Sequence, residues 1–298
     1  MSHSRPDPSA GTVVVPAPGA GAGNWAGAAG AVRHDGAVWM AYRVRRPLDA
    51  GRGVSVVVAR SEDGVAFEPV CEVFRETFGA ASFERPAIIA LPDGGWRLYL
   101  SCATPESKHW WVEALDADRV EDLPGGRRSV VLPGDDTLAV KDPVVLLDDD
   151  GWHLWLCCHP LTEPGHEDRM TTRYLSSADG LAWRDEGEVL AGTPGSWDAR
   201  GARVSAVLGR APLTVLYDGR ATAEQNWFER TGIARSEDGL HLVADPSGPV
   251  LESAEGDHAF RYAVVLPHDD GAARWYAEVA RADGSQDLMT WLVPRPGH

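Results

Sequence analysis

Three short segments of this 298-residue chain place a carboxylate close to a strong base: Phe83-Glu84-Arg85-Pro86, Lys141-Asp142-Pro143 and Asp198-Ala199-Arg200. A basic-aromatic pair, Arg261-Tyr262, follows in the same rhythm. Carboxylates forced together raise one another's pKa, whereas a neighbouring Arg or Lys lowers it, so one cluster can hold both a proton donor and an ionised base. Two carboxyl groups differentiated in this way are the equipment for cleaving a glycosidic bond. The competing reading is a structural ion network in which Glu84 pairs with Arg85, Lys141 with Asp142 and Asp198 with Arg200.

Other chemistries lack their residues. The ten histidines form no HExxH pair, no CxxC exists, and Cys71, Cys102, Cys157 and Cys158 read as reduced, mostly buried small hydrophobes. No metal and no cofactor are implied. No phosphate-binding glycine loop or dinucleotide fingerprint precedes a helix, and no serine sits in a nucleophile elbow. Forty-four Asp and Glu against 28 Lys and Arg give a formal net charge of −16, which disfavours nucleic acid and anionic membranes as partners. The N-terminus has no cationic stretch followed by an apolar run, and the expected location is the cytoplasm.

Groups so far apart in the chain need a fold that gathers them, and a repeat supplies it. ERPAIIALPDGGWRLYLSCAT from Glu84 and KDPVVLLDDDGWHLWLCCHP from Lys141 share a charged pair, a proline, an apolar run, an acidic Gly turn and a Trp-led alternating run. Relatives begin at Trp25, Asp198 and Phe260, so successive starts lie 57 to 62 residues apart. A second series, SEDGVAF, SADGLAW and SEDGLHL, sets Asp63, Asp179 and Asp238 at separations of 116 and 59. Ser-x-Asp-Gly suits a tight turn in which Asp bonds to the loop backbone and Gly takes a positive φ.

Each unit contains four strand-like runs and no amphipathic helix. A single four-stranded sheet cannot bury both faces, but sheets ranged around an axis cover one another. The expected fold is therefore all-β: a five-bladed β-propeller of four-stranded antiparallel blades, one domain over 24–298 preceded by a flexible arm over 1–23. Met289 to Val293 read as an outer strand, and Trp39, Trp96, Trp152 and Trp275 as filling between blades.

In such a ring the starts of the first strands and the ends of the second strands meet at one mouth. This predicts a cluster of Glu84, Asp142 and Asp198 as catalytic acids, with Trp25, Arg85, Lys141, His109, His159, Arg200, Asp218, Arg220, Arg261 and Tyr262 holding substrate. Arg43, Arg45 and Glu278 fall in the same set. The polar segments from Gly165 and Ala223, with Asp168, Arg169, Trp227 and Phe228, are expected to lie over the mouth.

The five-unit count, Lys141-Asp142-Pro143 and the Ser-x-Asp-Gly turns resemble the five-bladed propeller glycosidases of glycoside hydrolase families 43, 32 and 68. The resemblance spans roughly residues 24 to 293. It implies a first-blade acid as base or nucleophile, an Asp in a basic-Asp-Pro motif that tunes the site, and a further Glu as general acid. Asp142 matches the second role. Asn24, Trp25, Ala26, Gly27 and Ala28 stand where the first acid belongs, and Asp198 stands in place of the Glu. The resulting expectation is a glycoside hydrolase acting on a small saccharide, with Asp198 as acid, Glu84 as base or nucleophile and Asp142 as ionised orienter. Two alternatives fit the same residues: a sialidase-like enzyme on an acidic sugar, indicated by the many arginines, and a non-catalytic carbohydrate- or metabolite-binding propeller.

Overall fold

In the computed structural model, which describes residues 4–268 and 270–294, the repeat becomes five antiparallel blades around one axis, the last and first joined through a parallel Trp25–Gln286 pairing into one eight-stranded sheet. A short strand β1 (Thr12–Val15) precedes them. Blade I contains β2 (Trp25–His34), β3 (Ala37–Arg45), β4 (Gly53–Ser61) and β5 (Glu68–Phe74). Blade II contains β6 (Ala87–Ala90), β7 (Trp96–Ala103), β8 (Trp110–Ala117) and β9 (Arg127–Leu132). Blade III contains β10 (Leu138–Asp148), β11 (Gly151–Pro160), β12 (Thr171–Ser177) and β13 (Arg184–Leu190). Blade IV contains β14 (Ala202–Arg210), β15 (Leu213–Gly219), β16 (Arg230–Ser236) and the two-residue β17 (Val243–Ala244). Blade V contains β18 (Phe260–Pro267), β19 (Ala273–Ala280) and β20 (Gln286–Val293). Among the described residues no helix is long and apolar enough to cross a membrane.

The core lies between blades, as the two-sided burial of each sheet requires. Val56 and Val58 of blade I meet Leu98 and Trp96 of blade II, and Tyr99 and Val112 of blade II meet Leu154 and Trp152 of blade III. Trp155 packs against Val215 and Tyr217, Leu216 against Trp275, and Tyr276 and Leu288 against Val38 and Met40, which closes the ring from blade V to blade I. The repeated turns behave as their sequence dictates. Asp63 Oδ1 accepts from the backbone N–H of Val65 (2.8 Å) and Ala66 (2.9 Å), and Gly64, Gly180 and Gly239 take φ of +74°, +69° and +82°. Tyr276 donates to Gly64 O (2.9 Å) and Tyr99 to Gly180 O (2.7 Å), so turns of one blade are pinned by the blade before it in the ring.

Two expectations for the chain ends are corrected. The segment before Asn24 is not a free arm: Thr12 pairs with Thr290 and Val13 with Met289, making β1 the fourth, outermost strand of blade V. Val14 and Val15 pack against the blade V–I core, the Trp291 indole donates to Asp7 O (2.8 Å), and the Ala17 N–H donates to Asp287 Oδ1 (2.8 Å). The physical reason is that blade V has only three strands from its own repeat, and an apolar Val-Val-Val run satisfies the open edge of β20. Met289–Val293 therefore belong to a third strand, not an outer one. Residues 1–3 and 295–298, the ends of the expected arm and domain, lie outside the described residues.

Candidate active site

The ladder pairings define equivalent positions on the five inner strands. Gly27 faces Arg43, Lys141 faces Cys157, Arg203 faces Asp218 and Arg261 faces Glu278. In blade II the Glu84 N–H donates to Ser101 O (3.0 Å) in the same relation. Immediately after these positions the register of β2, β10 and β18 skips, and Ala28, Asp142 and Tyr262 take φ of +49°, +53° and +55°. A bulge re-aims the side chains that follow it, and left-handed backbone at a bulky residue such as Tyr is costly, so the surrounding structure must hold it in place. Here it turns Asp142 and Tyr262 toward Arg203.

Arg203 is the hub. Its Nη1 donates to Asp142 Oδ2 (3.0 Å) and to the Tyr262 hydroxyl (2.9 Å), and its Nη2 donates to Asp218 Oδ2 (2.9 Å), while its guanidinium lies 3.8 Å from the centre of the Tyr262 ring. Asp142 Oδ1 accepts from the Arg85 N–H (3.1 Å), and Lys141 Nζ lies 3.8 Å from Asp142 Oδ2. Burial alone would raise the Asp142 pKa, but Lys141, Arg203 and the Arg85 N–H outweigh it and hold the group down at about 2. Asp218 goes the other way: burial pushes it up against the pull of Arg203. Burial also lowers Lys141.

A second chain of ion pairs crosses the mouth. Arg43 pairs with Glu84 and with Glu278 (2.8 Å), Arg261 Nε donates to Glu278 Oε1 (2.9 Å), Arg261 Nη1 donates to Glu229 (2.7 Å), and Arg220 donates to Glu229 (2.6 Å) and to the carbonyl of Asp168. Every one of these carboxylates is buried. Gly27 makes the arrangement possible: a Cβ there would stand 2.5 Å from Glu278 Oε2, so the first blade offers no side chain and blade V fills the space with a carboxylate.

Cations nevertheless outnumber carboxylates at the mouth. Among the described residues Arg45 donates only to Gly23 O (3.2 Å), with Nε and Nη2 unpartnered, and lies over the ring of Trp25 (3.8 Å) and near that of Trp227 (5.0 Å). Burial, then repulsion from Arg43, Arg261 and Arg52, pushes it down to about 9. Arg52 lies 3.7 Å from Glu84 Oε1 with its side chain about a third exposed. Arg52 and Lys141 flank the ring of Trp110, at 5.7 Å and 5.0 Å from its centre. Among the described residues no group of His, Cys, Asp and Glu side chains is arranged to hold a metal ion.

The predicted site residues divide accordingly. Glu84, Asp142, Lys141, Asp218, Arg220, Arg261, Tyr262 and Trp25 meet at the mouth, and Arg85 runs down the axis, where its Nε donates to Ala29 O (3.1 Å) and its Nη2 to Ala263 O (3.2 Å). Asp198 does not join them. Its Oδ1 accepts from the Thr193 N–H (3.2 Å) and its Oδ2 from the Tyr217 hydroxyl (2.9 Å), because the residues before β14 fold into a turn that points the carboxyl into the blade III–IV packing. The assignment of Asp198 as general acid is corrected on that ground. His109 is also outside the cluster, bridging Thr104 Oγ1 (2.7 Å) and Pro133 O (2.9 Å) to fix its own loop. Arg200 binds both oxygens of Asp168 and secures the loop from Gly165. His159 borders the cluster, Nδ1 2.7 Å from Glu167 O, and burial followed by Lys141 pushes its pKa down to about 3, leaving it neutral.

Glu229, Arg52 and Trp110 were not anticipated. The expectation used first-strand starts and second-strand ends, whereas Glu229 and Trp110 stand at the start of third strands and Arg52 in the loop before one, on the same rim. Glu229-Arg230 opening an alternating run was the available signal.

No protein-family model matches the chain, and no curated protein matches it in sequence. Solved structures do match in fold. An α-L-arabinofuranosidase from Lactobacillus brevis superposes with a TM-score of 0.66 at 13% identity over 89% of this chain and 90% of that one. An endo-arabinase from Bacteroides thetaiotaomicron gives 0.64 at 15% identity over 95% and 97%. A structure described under the GH130 family of mannoside phosphorylases, which contains glycoside hydrolases targeting β-1,2 mannosidic linkages, gives 0.60 at 14% identity over 91% and 85%. The architecture is that of the β-propeller glycosidases.

Proposed function

We propose that this protein cleaves a glycosidic bond with an anionic group bound at the mouth, either carried by the sugar or supplied as inorganic phosphate. The observation that carries the reading is the surplus of cations around Glu84: Arg52 and Lys141 flank the Trp110 ring, and Arg45 has N–H groups without acceptors. Apolar sugar faces pack on aromatic rings, and guanidinium forks bind carboxylate or phosphate. Asp142 is fixed as an anion and balances Lys141 and Arg203. Glu84 is the carboxylate beside the partly exposed Arg52, and an arriving anion that engages Arg52 frees Glu84 Oε1 to face the glycosidic oxygen. Glu84, paired with the Arg43 guanidinium, then takes a proton from the attacking water as the water oxygen bonds to the anomeric carbon and the glycosidic C–O bond breaks, and passes that proton to the leaving oxygen; where phosphate attacks, its own proton takes that path. The fold likeness to glycosidases and to the structure described with mannoside phosphorylases supports this reading.

The test is a panel of neutral and uronic aryl glycosides assayed with and without phosphate. Cleavage is expected only for the acidic sugars or only with phosphate, weakening as salt rises. Glu84→Gln should lower kcat by about 10²–10⁴, the usual contribution of a group that relays a proton, with an unchanged near-UV circular dichroism spectrum. Cleavage of neutral glycosides without phosphate at the same rate by wild type and Glu84→Gln would overturn the proposal. Saturable sugar binding with no cleavage would instead support the non-catalytic reading, which the side-chain-free Gly27 position of the first blade and the diverted Asp198 favour.

A further inference from the structure

The axis has a second compartment. Below the ionic mouth, the later halves of all five inner strands enclose a cavity of about 450 Å³ that opens on the opposite face. Its walls are mainly aliphatic, with Val32, Ile88, Val145, Leu147, Val207 and Leu266 from the five blades, and Arg33 also lines it, its Nε donating to Pro267 O (2.9 Å). Arg85 lies at the end nearest the mouth. Its guanidinium is anchored to the carbonyls of Ala29 and Ala263 on two other blades, so the side chain spans the channel and divides it.

Arg85 differs from most of its neighbours at the mouth. Like them it is buried, and its Nη1 has no acceptor, but it forms no ion pair among the described residues. Ser205, another wall residue, has an unpartnered buried hydroxyl. A buried cation without a counter-ion and with an unused donor is costly, whereas aliphatic walls do not hold the water that would satisfy it. Burial pushes the Arg85 pKa down only to about 10, against the pull of Asp218 and Asp142, so the group stays charged at neutral pH. The volume is that of a small-molecule site. Three to four strand residues at about 3.3 Å each give a depth of roughly 10–13 Å, which matches a medium-chain acyl tail.

We propose that this cavity binds an amphipathic carboxylate, with the carboxyl group on the Arg85 guanidinium and the Ser205 hydroxyl and the aliphatic tail along the walls toward the open face. The site is separate from the mouth and does not depend on the reaction proposed there.

The sequence provides a direct test. The chain has three isoleucines: Ile88 and Ile89 line the cavity, and Ile233 lies in the blade IV–V core. In full-length protein labelled at the isoleucine δ1 methyls, titration with octanoate should shift Ile88 and Ile89 saturably at one site and leave Ile233 in place. Octyltrimethylammonium, with the same tail and opposite charge, should bind at least tenfold more weakly, and Arg85→Gln should weaken octanoate at least tenfold. Ala31→Phe, which narrows the cavity away from Arg85, should also abolish the shifts. Unmoved Ile88 and Ile89 methyls at saturating octanoate, or equal binding of the ammonium compound, would overturn the proposal. Should Arg85→Gln fail to fold, the wild-type comparison of the two probes decides alone.

Discussion

Replacing Arg203 by methionine tests the electrostatic logic of the mouth more sharply than any other single change. The substitution keeps an unbranched apolar stem but removes the donors to Asp142 Oδ2, Asp218 Oδ2 and the Tyr262 hydroxyl. Breaking a buried pair costs about 3–5 kcal/mol, and because two carboxylates share this guanidinium the upper end, about 5 kcal/mol, is expected at neutral pH. That is a large part of the 5–15 kcal/mol typical of a folded domain, so the variant should fold only marginally. The loss should depend on pH. Wild-type Asp142, held at about 2, contributes stability that is present above the unfolded carboxylate value of about 4 and is lost as pH falls from there toward 2. In the variant Asp142 keeps Lys141 and the Arg85 N–H, whereas Asp218, already raised by burial, loses its guanidinium and rises further above its unfolded value. The destabilisation from Asp218 is then largest at high pH and relieved as pH falls and it binds a proton, by up to about 1.4 kcal/mol per pH unit. Urea midpoints followed by tryptophan emission at pH 5 and pH 8 measure the effect in the variant, and a further midpoint at pH 3 measures the wild-type one. The gap between wild type and Arg203→Met should be smaller at pH 5. A loss under about 1 kcal/mol, or a gap that does not change with pH, would refute the assignment of Arg203 as the counter-ion of two ionisable groups.

Two further outcomes concern the ring. Tyr99→Phe removes only the hydroxyl that reaches Gly180 O in the next blade, and calorimetry should show a loss of about 1 kcal/mol, a fall in Tm of a few degrees; an unchanged Tm would mean that the bond adds nothing to blade adhesion. Deleting residues 1–16 uncovers the edge of β20 and the Trp291 ring, so emission should shift to the red and the protein should associate at high concentration, with a synthetic peptide spanning residues 5–18 reversing both; a monomer with unshifted emission would refute a closing role for β1.

Much of this architecture was readable because it repeats. The Asp-Gly turns and the Trp-led second strands recur at the blade period, and each has a local cause that survives into the fold: Asp63 caps its own turn, and Trp96, Trp152 and Trp275 fill inter-blade space. The pieces that were misread occur once. β1 lies far in sequence from its partner β20, and nothing local to Gly11-Thr12-Val13 records that blade V is a strand short. Asp198 carried the right residue type at the right spacing, but its position depends on a turn between Gly192 and Gly201 that has no counterpart in the other units. Of the neighbour pairings considered at first, only Lys141 with Asp142 occurs, and at 3.8 Å. Adjacent residues on extended chain project to opposite sides, so Glu84 and Arg85 separate: one goes to Arg43 at the mouth, the other down the axis.

That separation means the ion pairs join blades and do not merely decorate them. Arg43 of blade I holds Glu84 of blade II and Glu278 of blade V, Arg203 of blade IV holds Asp142 of blade III, and Arg261 of blade V holds Glu229 at the entry to β16. Inner strands converge where side-chain volume is scarce, and an aliphatic plug would bury the same area without fixing which blade faces which. Charge pairs of matched sign and reach can fix it, in the way buried polar groups specify register in other folds. The same groups are the ones proposed to meet substrate, so stability and chemistry share their residues. A fall in activity on replacing Asp142, Asp218 or Glu278 therefore carries information about the reaction only when the unfolding midpoint is measured beside it. Glu84 is the more informative target, since Arg43 keeps Glu278 as a partner when Glu84 becomes glutamine, and the ring of blades retains its tie from V to I.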